Sequence, residues 1–239
     1  MRIQTIRCLK DNFCYLVIDE KNLNTVVIDP GEADPVEKEI KSQKLKLKYV
    51  LNTHHHIDHV GGNIELKNKF KCHVVGFYKD KNQIPGVDIL VKNKEKWIKD
   101  NFEFEVFHTP GHTKNHVCFY FKKISALFTG DTLFSLGCGR IFEGTYEEMY
   151  NSLKIIKSFP SKTMIYFGHE YTGQNLKFCE LHDKENLNLR IMIHKTEAKL
   201  NKGLDTTPTR LSDEIDCNIF LKTNTLVKFS KLRQLKDNF

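Results

Sequence analysis

The sequence lacks long uncharged hydrophobic runs, internal repeats and low-complexity tracts. No stretch approaches the roughly 20 apolar residues that a membrane-spanning helix needs. The segment from Met1 to Arg7 also lacks the apolar core of a secretion signal. With 40% hydrophobic and 28% charged residues in 239 positions, the composition is that of a globular protein. We therefore expect a cytoplasmic protein without a membrane partner.

Paired cysteines are also lacking, because the seven cysteines are scattered and form no C-x-x-C motif. An odd and scattered set does not indicate a disulfide framework. We expect these side chains to be reduced, mostly buried and in a reducing compartment.

Dense basic tracts are lacking too, although the formal net charge is +7. Such a charge suits nucleic acid, an anionic membrane surface or an acidic small substrate. The lysines are spaced, as between Lys38 and Lys48, and no aromatic residues are interleaved with them. This spacing favours solvated faces and predicts no nucleic-acid partner.

The most unusual segment that is present reads T-H-H-H-I-D-H-V-G-G-N, from Thr53 to Asn63. Imidazole nitrogens and carboxylate oxygens are ligands that a divalent ion such as zinc accepts. The spacing does not suit a regular helix, where neighbours on one face lie three or four residues apart. A hydrophobic strand, Lys48–Asn52, precedes the segment, so we predict a metal-binding loop at the carboxyl end of a strand. A histidine-rich surface loop is the alternative.

Each of three later strands is followed by a histidine or an aspartate that could bind a metal. The alternating strand Phe102–His108 runs into Thr-Pro-Gly, a turn that presents His112. One apolar strand ends in glycine before Asp131, and another ends in glycine before His169. A carboxylate has two oxygens, so Asp131 can bridge two ions. Each residue alone is weak evidence, but their recurrence at strand ends is strong.

The pattern H-x-H-x-D-H after a hydrophobic strand and before Gly-Gly resembles the signature of the metallo-β-lactamase superfamily. The resemblance implies an αββα sandwich, two β-sheets face to face with helices outside. It also implies two adjacent metal ions, with His54 and His56 on one ion and Asp58 and His59 on the other. The implied ligands are His54, His56, Asp58, His59, His112, Asp131 and His169.

The chain becomes helical after Thr172, with a last helix predicted over Asn224–Asn238. Leu226, Phe229, Leu232 and Leu235 are expected on its buried face. We predict a catalytic domain over residues 1–171 and an all-helical substrate-binding domain over residues 172–239.

Three segments resemble glyoxalase II, the hydroxyacylglutathione hydrolases. They are G-C-G-R-I-F-E-G-T (Gly137–Thr145), G-H-E-Y-T (Gly168–Thr172) and R-Q-L-K-D-N-F (Arg233–Phe239). The resemblance implies hydrolysis of S-D-lactoylglutathione to glutathione and D-lactate, the second step of methylglyoxal detoxification. The substrate is then a small glutathione thioester, and we expect a monomeric enzyme.

The same resemblance implies substrate contacts by Arg140, Phe142, Tyr171, Arg233 and Lys236. Arg233 and Lys236 lie three residues apart on one helix face, where both can pair with a carboxylate. A solvated helix face is the alternative. Arg140 stands where some members have lysine, and Phe142 stands where others have tyrosine.

The expected mechanism uses two divalent ions, zinc or alternatively iron or manganese, with Asp58 and Asp131 as catalytic carboxylates. The nearest rival is a persulfide dioxygenase of the same superfamily, which uses one iron. An RNA-processing nuclease and a metal-binding protein without activity are more distant rivals. Asp29 either orients a metal-binding histidine or caps the turn before Pro30. We expect His116 to support a ligand or to pack.

Overall fold

A computed structural model of the chain describes residues 1–239 and divides them into two compact units. Unit 1 comprises Met1–His108 and Asn115–Ile124, and unit 2 comprises Thr109–Lys114 and Ser125–Phe239. The strands of unit 1 are β1 Arg2–Cys8, β2 Asn12–Ile18, β3 Asn24–Ile28, β4 Lys46–Leu51, β5 His73–Phe77, β6 Val87–Val91, β7 Lys96–Lys99, β8 Phe102–His108 and β9 Val117–Phe121. Its α-helices are α1 Asp34–Ser42, α2 Ile57–Val60 and α3 Asn63–Phe70.

The sheet of unit 1 has the strand order β1-β2-β3-β4-β5-β6. The pairs β1–β2 and β2–β3 are antiparallel, whereas β3 to β6 pair in parallel. Parallel neighbours need crossover connections, and α1 provides one between β3 and β4. Val36 and Ile40 of α1 are buried in the same core as Val27 and Val50 of the strands. The carboxyl ends of β3 and β4 therefore lie side by side, and the loop predicted to bind metal starts there.

The remaining strands of unit 1, β7, β8 and β9, pair antiparallel in that order. β8 buries Phe102, Phe104 and Val106 in alternation, as its sequence pattern predicts. The ring of Trp97 in β7 stacks on Phe104 with 5.6 Å between the centroids.

Unit 2 contains the strands and helices that present the later predicted ligands. Its strands are β10 Ala126–Gly130, β11 Leu133–Phe134, β12 Gly137–Cys138, β13 Met164–Phe167 and β14 Thr209–Arg210. Its helices are α4 Tyr146–Lys157, α5 Thr172–His182, α6 Leu187–Leu200, α7 Leu211–Cys217 and α8 Leu226–Asp237. β10 and β13 are parallel, whereas β11 and β12 form an antiparallel hairpin. The parallel pairing brings the residues that follow β10 and β13 to one edge of the sheet.

The region after residue 170 is helical apart from β14, which pairs antiparallel with β13. The predicted buried face of the last helix was wrong in part. α8 buries Phe229 and Arg233, whereas Leu235 is 42% exposed. Arg233 turns inward because protein acceptors for its guanidinium lie on that side. None of the helices combines the length and apolar character that crossing a bilayer demands.

Candidate metal centre

The loop after β4 collects three histidine rings in unit 1. The centroid of the His54 ring lies 4.7 Å from that of His56 and 4.2 Å from that of His59. His54 and His59 are buried, and His56 is half-buried. Three imidazoles so close together would repel one another if protonated, so the arrangement favours neutral rings that can bind a metal.

Asp29, at the carboxyl end of β3, orients two of these histidines. Its carboxylate accepts hydrogen bonds from the Thr53 backbone N–H at 2.7 Å and from the Thr53 hydroxyl at 2.6 Å. It also lies 3.2 Å from His59 Nδ1. A carboxylate is an acceptor, so His59 carries its proton on Nδ1 and keeps the Nε2 lone pair for a metal. Of the two predicted roles for Asp29, the structure shows histidine orientation.

Through Thr53, Asp29 also fixes the tautomer of His54. Its hydroxyl hydrogen is donated to Asp29, so the oxygen accepts from His54 Nδ1 at 3.0 Å. The Nε2 lone pair of His54 is then the one left for a metal. No pattern in the sequence marks Thr53, because its role depends on the side-by-side positions of β3 and β4.

Asp58 is held by Asn12, another residue that no sequence pattern marks. Asn12 Nδ2 donates to the Asp58 side chain at 2.9 Å and to the Asp58 backbone carbonyl at 3.1 Å. Asn12 is buried at the start of β2, whereas the Asp58 side chain is about one-third exposed at 34%. This carboxylate is therefore fixed but still open to solvent.

The two other histidines near the loop have supporting positions. The buried His116 ring stacks on His54 with 4.9 Å between the centroids, which agrees with its predicted supporting or packing role. His55 Nδ1 lies 3.4 Å from a buried carboxylate oxygen of Asp80. Asn115 donates to the same carboxylate at 2.7 Å.

Unit 2 brings together Asp131, His112 and His169. One carboxylate oxygen of Asp131 lies 3.4 Å from His112 Nε2 and 3.3 Å from His169 Nε2. These distances exceed the roughly 2.7–3.2 Å of good N–H···O hydrogen bonds. All three side chains are buried. A carboxylate between two imidazole nitrogens at these distances is suited to sharing an ion with each of them.

The segment that follows the β11–β12 hairpin orients His112. His112 Nδ1 donates to the backbone carbonyl of Arg140 at 2.8 Å. A carbonyl only accepts, so the proton is on Nδ1 and the Nε2 lone pair faces Asp131. A Cβ atom on Gly139 would lie 1.9 Å from the Asp131 carbonyl oxygen, so this close approach requires glycine.

Aromatic rings flank both unit 2 histidines. The Tyr171 ring stacks on His169 at 4.7 Å and an interplanar angle of 5°. The Phe142 ring meets His112 edge-on at 5.3 Å. Phe142 is 61% exposed and Tyr171 is 36% exposed, so both also offer apolar surface to a ligand.

The three predicted cationic substrate residues differ in environment. The Arg140 side chain is 58% exposed, and its Nε lies 3.5 Å from Asp237. Arg233 is only 4% exposed and donates to the Cys138 carbonyl. Burial, followed by the nearby charge of Arg233, lowers the pKa of Lys236 to about 8. Its Nζ lies over the rings of Phe178 and Phe239.

The predicted metal ligands thus form two sets, one in each unit. Unit 1 assembles His54, His56, Asp58 and His59, and unit 2 assembles His112, Asp131 and His169. Imidazoles that are mostly buried, three of them with assigned tautomers, and carboxylates between or beside them fit a borderline divalent ion. The donor chemistry of both sets therefore fits the metal that the sequence predicts.

Two known family models match the chain. Residues 10–96 and 98–169 match the model of the metallo-beta-lactamase superfamily, and residues 170–239 match the model of the hydroxyacylglutathione hydrolase C-terminus. The superfamily match defines a protein with the αββα fold and a divalent-metal site. The predicted fold class is confirmed, whereas the predicted domain boundary after residue 171 stays a prediction.

Sequence relatives narrow the class. The chain is 56% identical over 239 residues to a hydroxyacylglutathione hydrolase of Pelagibacter ubique, with full coverage of both chains. It is 41% identical over 222 residues to a hydroxyacylglutathione hydrolase of Methylococcus capsulatus, covering 93% of this chain and 87% of the relative. The chain belongs to the hydroxyacylglutathione hydrolase family, within the metallo-β-lactamase superfamily, and both resemblances seen in the sequence are confirmed.

Solved structures agree on the fold. ETHE1 from Myxococcus xanthus has a TM-score of 0.76 at 23% identity, covering 98% of this chain and 90% of that chain. A di-iron-bound form of TTHA1623 has a TM-score of 0.59 at 27% identity, covering 71% of this chain and 92% of that chain.

Proposed function

We propose that this chain hydrolyses S-(2-hydroxyacyl)glutathione thioesters, S-D-lactoylglutathione foremost, to glutathione and a 2-hydroxy acid. In a cell that makes this substrate from methylglyoxal, the reaction is the second step of its detoxification. The observation that carries the proposal is the full-length 56% identity to a hydroxyacylglutathione hydrolase. The donor geometry of the two ligand sets supports it, because each histidine with an assigned tautomer keeps Nε2 for a metal.

We further propose that the chain binds two divalent ions through the side chains of these sets. The residues that would hold them are His54, His56, Asp58, His59, His112, Asp131 and His169. The donor set suits zinc and also accepts iron or manganese. The di-iron form of TTHA1623, which is 27% identical, supports a pair of ions. When bound, such ions supply Lewis acidity and lower the pKa of water toward neutrality.

The side chains of the protein direct the rest of the reaction. Asp58, fixed by Asn12 and open to solvent, accepts a proton as the water oxygen bonds to the thioester carbonyl carbon. The C–S bond then breaks and glutathione leaves as a thiolate. A thiolate is a good leaving group, so no acid from the protein is required. The products are glutathione and D-lactate.

Glutathione recognition is proposed to use the exposed or half-buried predicted residues. Arg140 and Lys236 supply cations for a carboxylate of the tripeptide, and Phe142 and Tyr171 supply ring surface. Phe142 has no hydroxyl, so it contributes apolar contact only. The substrate contact predicted for Arg233 stays a prediction, because its guanidinium is already bound within the protein.

A cytoplasmic location is part of the same proposal. None of the seven cysteines forms a disulfide and all are buried, which suits a reducing compartment. A monomeric state and the expectation of no nucleic-acid or membrane partner stay predictions.

The direct test is hydrolysis of S-D-lactoylglutathione by the purified protein. We expect the His169→Ala variant to lose at least about 100-fold in kcat/KM, because it removes a ligand of the centre. His73→Ala is the matched control, since His73 is an exposed histidine beside Asp88. Oxygen uptake with glutathione persulfide, without thioester hydrolysis, would instead support the dioxygenase.

A further inference from the structure

The C-terminal helix α8 contacts the segment from Cys138 to Arg140, at the end of the β11–β12 hairpin. Arg233 Nη1 donates to the Cys138 carbonyl at 2.8 Å, and Arg233 Nη2 lies 3.0 Å from Asp237. The same Asp237 oxygen lies 3.5 Å from Arg140 Nε. The Arg233–Asp237 pair therefore contacts both ends of the segment from Cys138 to Arg140.

That segment is in direct contact with two of the unit 2 ligands. The Arg140 carbonyl accepts the hydrogen bond from His112 Nδ1. Between these points, Gly139 packs so tightly on the backbone of Asp131 that no side chain fits. A shift of Cys138 would therefore move the carbonyl that fixes the tautomer and ring orientation of His112.

We propose that Arg233, together with Asp237, is a positioning residue for the metal ligand His112. Its guanidinium fixes the Cys138–Arg140 backbone, and the Arg140 carbonyl then holds His112 with Nε2 toward Asp131. The inference rests on the proposed metal centre and extends it to the C-terminal helix.

The environment of Arg233 favours this role. A cation that is 4% exposed is costly to bury unless its N–H groups are paired. Arg233 Nη1 is paired with a carbonyl, Nη2 lies beside a carboxylate one helical turn away, and the Phe220 ring lies 5.3 Å from Cζ. Nε has no hydrogen-bond partner. The planar guanidinium of arginine can contact a carbonyl and a carboxylate at once through its two terminal nitrogens. The single ammonium of lysine cannot do so in the same geometry.

The test compares Arg233→Met, Arg233→Lys and Asp237→Asn with the control Lys231→Met. Lys231 lies on the exposed face of the same helix, so its loss leaves the Cys138–Arg140 segment untouched. Zinc affinity is measured by competition with a chelator. We expect Arg233→Met to weaken it by about 10- to 100-fold, the usual effect of losing a group that orients a ligand. Arg233→Lys should recover part of the loss, and Lys231→Met should match the wild type.

A second readout follows the histidine itself. The proton on His112 Nδ1, assigned by its loss in His112→Gln, should exchange slowly in the wild type by NMR and faster in Arg233→Met. Arg233→Met and His112→Gln should keep the wild-type helical circular dichroism. If Arg233→Met does not fold, Asp237→Asn decides, and the expected result is weaker zinc binding and faster exchange than in the wild type.

The inference is overturned if zinc affinity and the His112 proton are unchanged in the folded Arg233 or Asp237 variants. A rise in KM for the thioester with unchanged zinc affinity would assign Arg233 to substrate binding instead. The proposed activity can fail separately, since a wild type that binds zinc but hydrolyses no thioester still permits both readouts.

Discussion

Asp29 and Thr53 are joined by two hydrogen bonds, one to the backbone N–H of Thr53 and one to its hydroxyl. They lie at the carboxyl ends of adjacent parallel strands, where Asp29 N–H also donates to the Leu51 carbonyl. Because the Thr53 hydroxyl points to Asp29, its oxygen is left to accept from His54. One buried carboxylate thus fixes the tautomer of His59 directly and that of His54 through Thr53.

Replacing Asp29 with asparagine should lower metal affinity by about 10- to 100-fold, because an amide cannot accept at both oxygen positions. Asparagine tolerates the left-handed φ of 52° at this position, so the backbone should persist. Metal retained after dialysis against a chelator measures the effect. Asp34→Asn, at an exposed position in α1, is the control. Equal retention in both variants would contradict the assigned role of Asp29.

Substitution of Asn12 should affect turnover more than binding. Asn12→Ala removes the donor that holds Asp58, and we expect kcat to fall about 10-fold with little change in KM. Asn12→Asp should be worse than alanine, because it places a carboxylate where Asp58 needs a donor. Steady-state kinetics of both variants test this order. A wild-type kcat in Asn12→Asp would contradict the assigned role of Asn12 in holding Asp58.

Much of the proposed metal site is visible in the sequence, because the predicted ligands are chemically unusual residues at strand ends. The histidines and aspartates after β4, β10 and β13 stand out in this way. Asn12 and Thr53 do not, because their roles come from the contact between a strand end and a distant loop, which local patterns do not encode. The sequence does not clearly predict β6 and β7, because each strand is short and its apolar pattern is weak.

The last helix shows a second limit of sequence patterns. Hydrophobic periodicity selected Leu235 for the buried face, yet that side chain is exposed and Arg233 is buried. Periodicity treats arginine as a surface residue. In this fold a carbonyl at Cys138 and the carboxylate of Asp237 compensate its burial.

The KM for the glutathione thioester should rise between about pH 7 and pH 9. The pKa of Lys236 is lowered to about 8, so its ammonium is mostly charged at the lower pH and mostly neutral at the higher one. Loss of the cation weakens its attraction for a substrate carboxylate. In Lys236→Arg the charge persists and the rise should disappear. A pH profile of KM that is the same in both proteins would exclude Lys236 from binding.

Two glycines of unit 2 should respond oppositely to alanine. Gly139→Ala should destabilise the protein by about 1–3 kcal/mol through overpacking against the Asp131 backbone. Gly173→Ala in α5 should stabilise it by up to about 1 kcal/mol, because its Cβ would meet only Leu200 at an ordinary 3.5 Å. Urea denaturation midpoints measure both effects. Similar midpoint shifts would contradict the tight packing at Gly139.

The most direct test of the central claim is to remove all metal from the protein with a chelator and to add zinc back in steps. S-D-lactoylglutathione hydrolysis and bound metal are followed at each step. The account predicts that activity disappears on removal and returns in full at about two ions per chain. Full activity in the metal-free protein, or full recovery with a single bound ion, would contradict it.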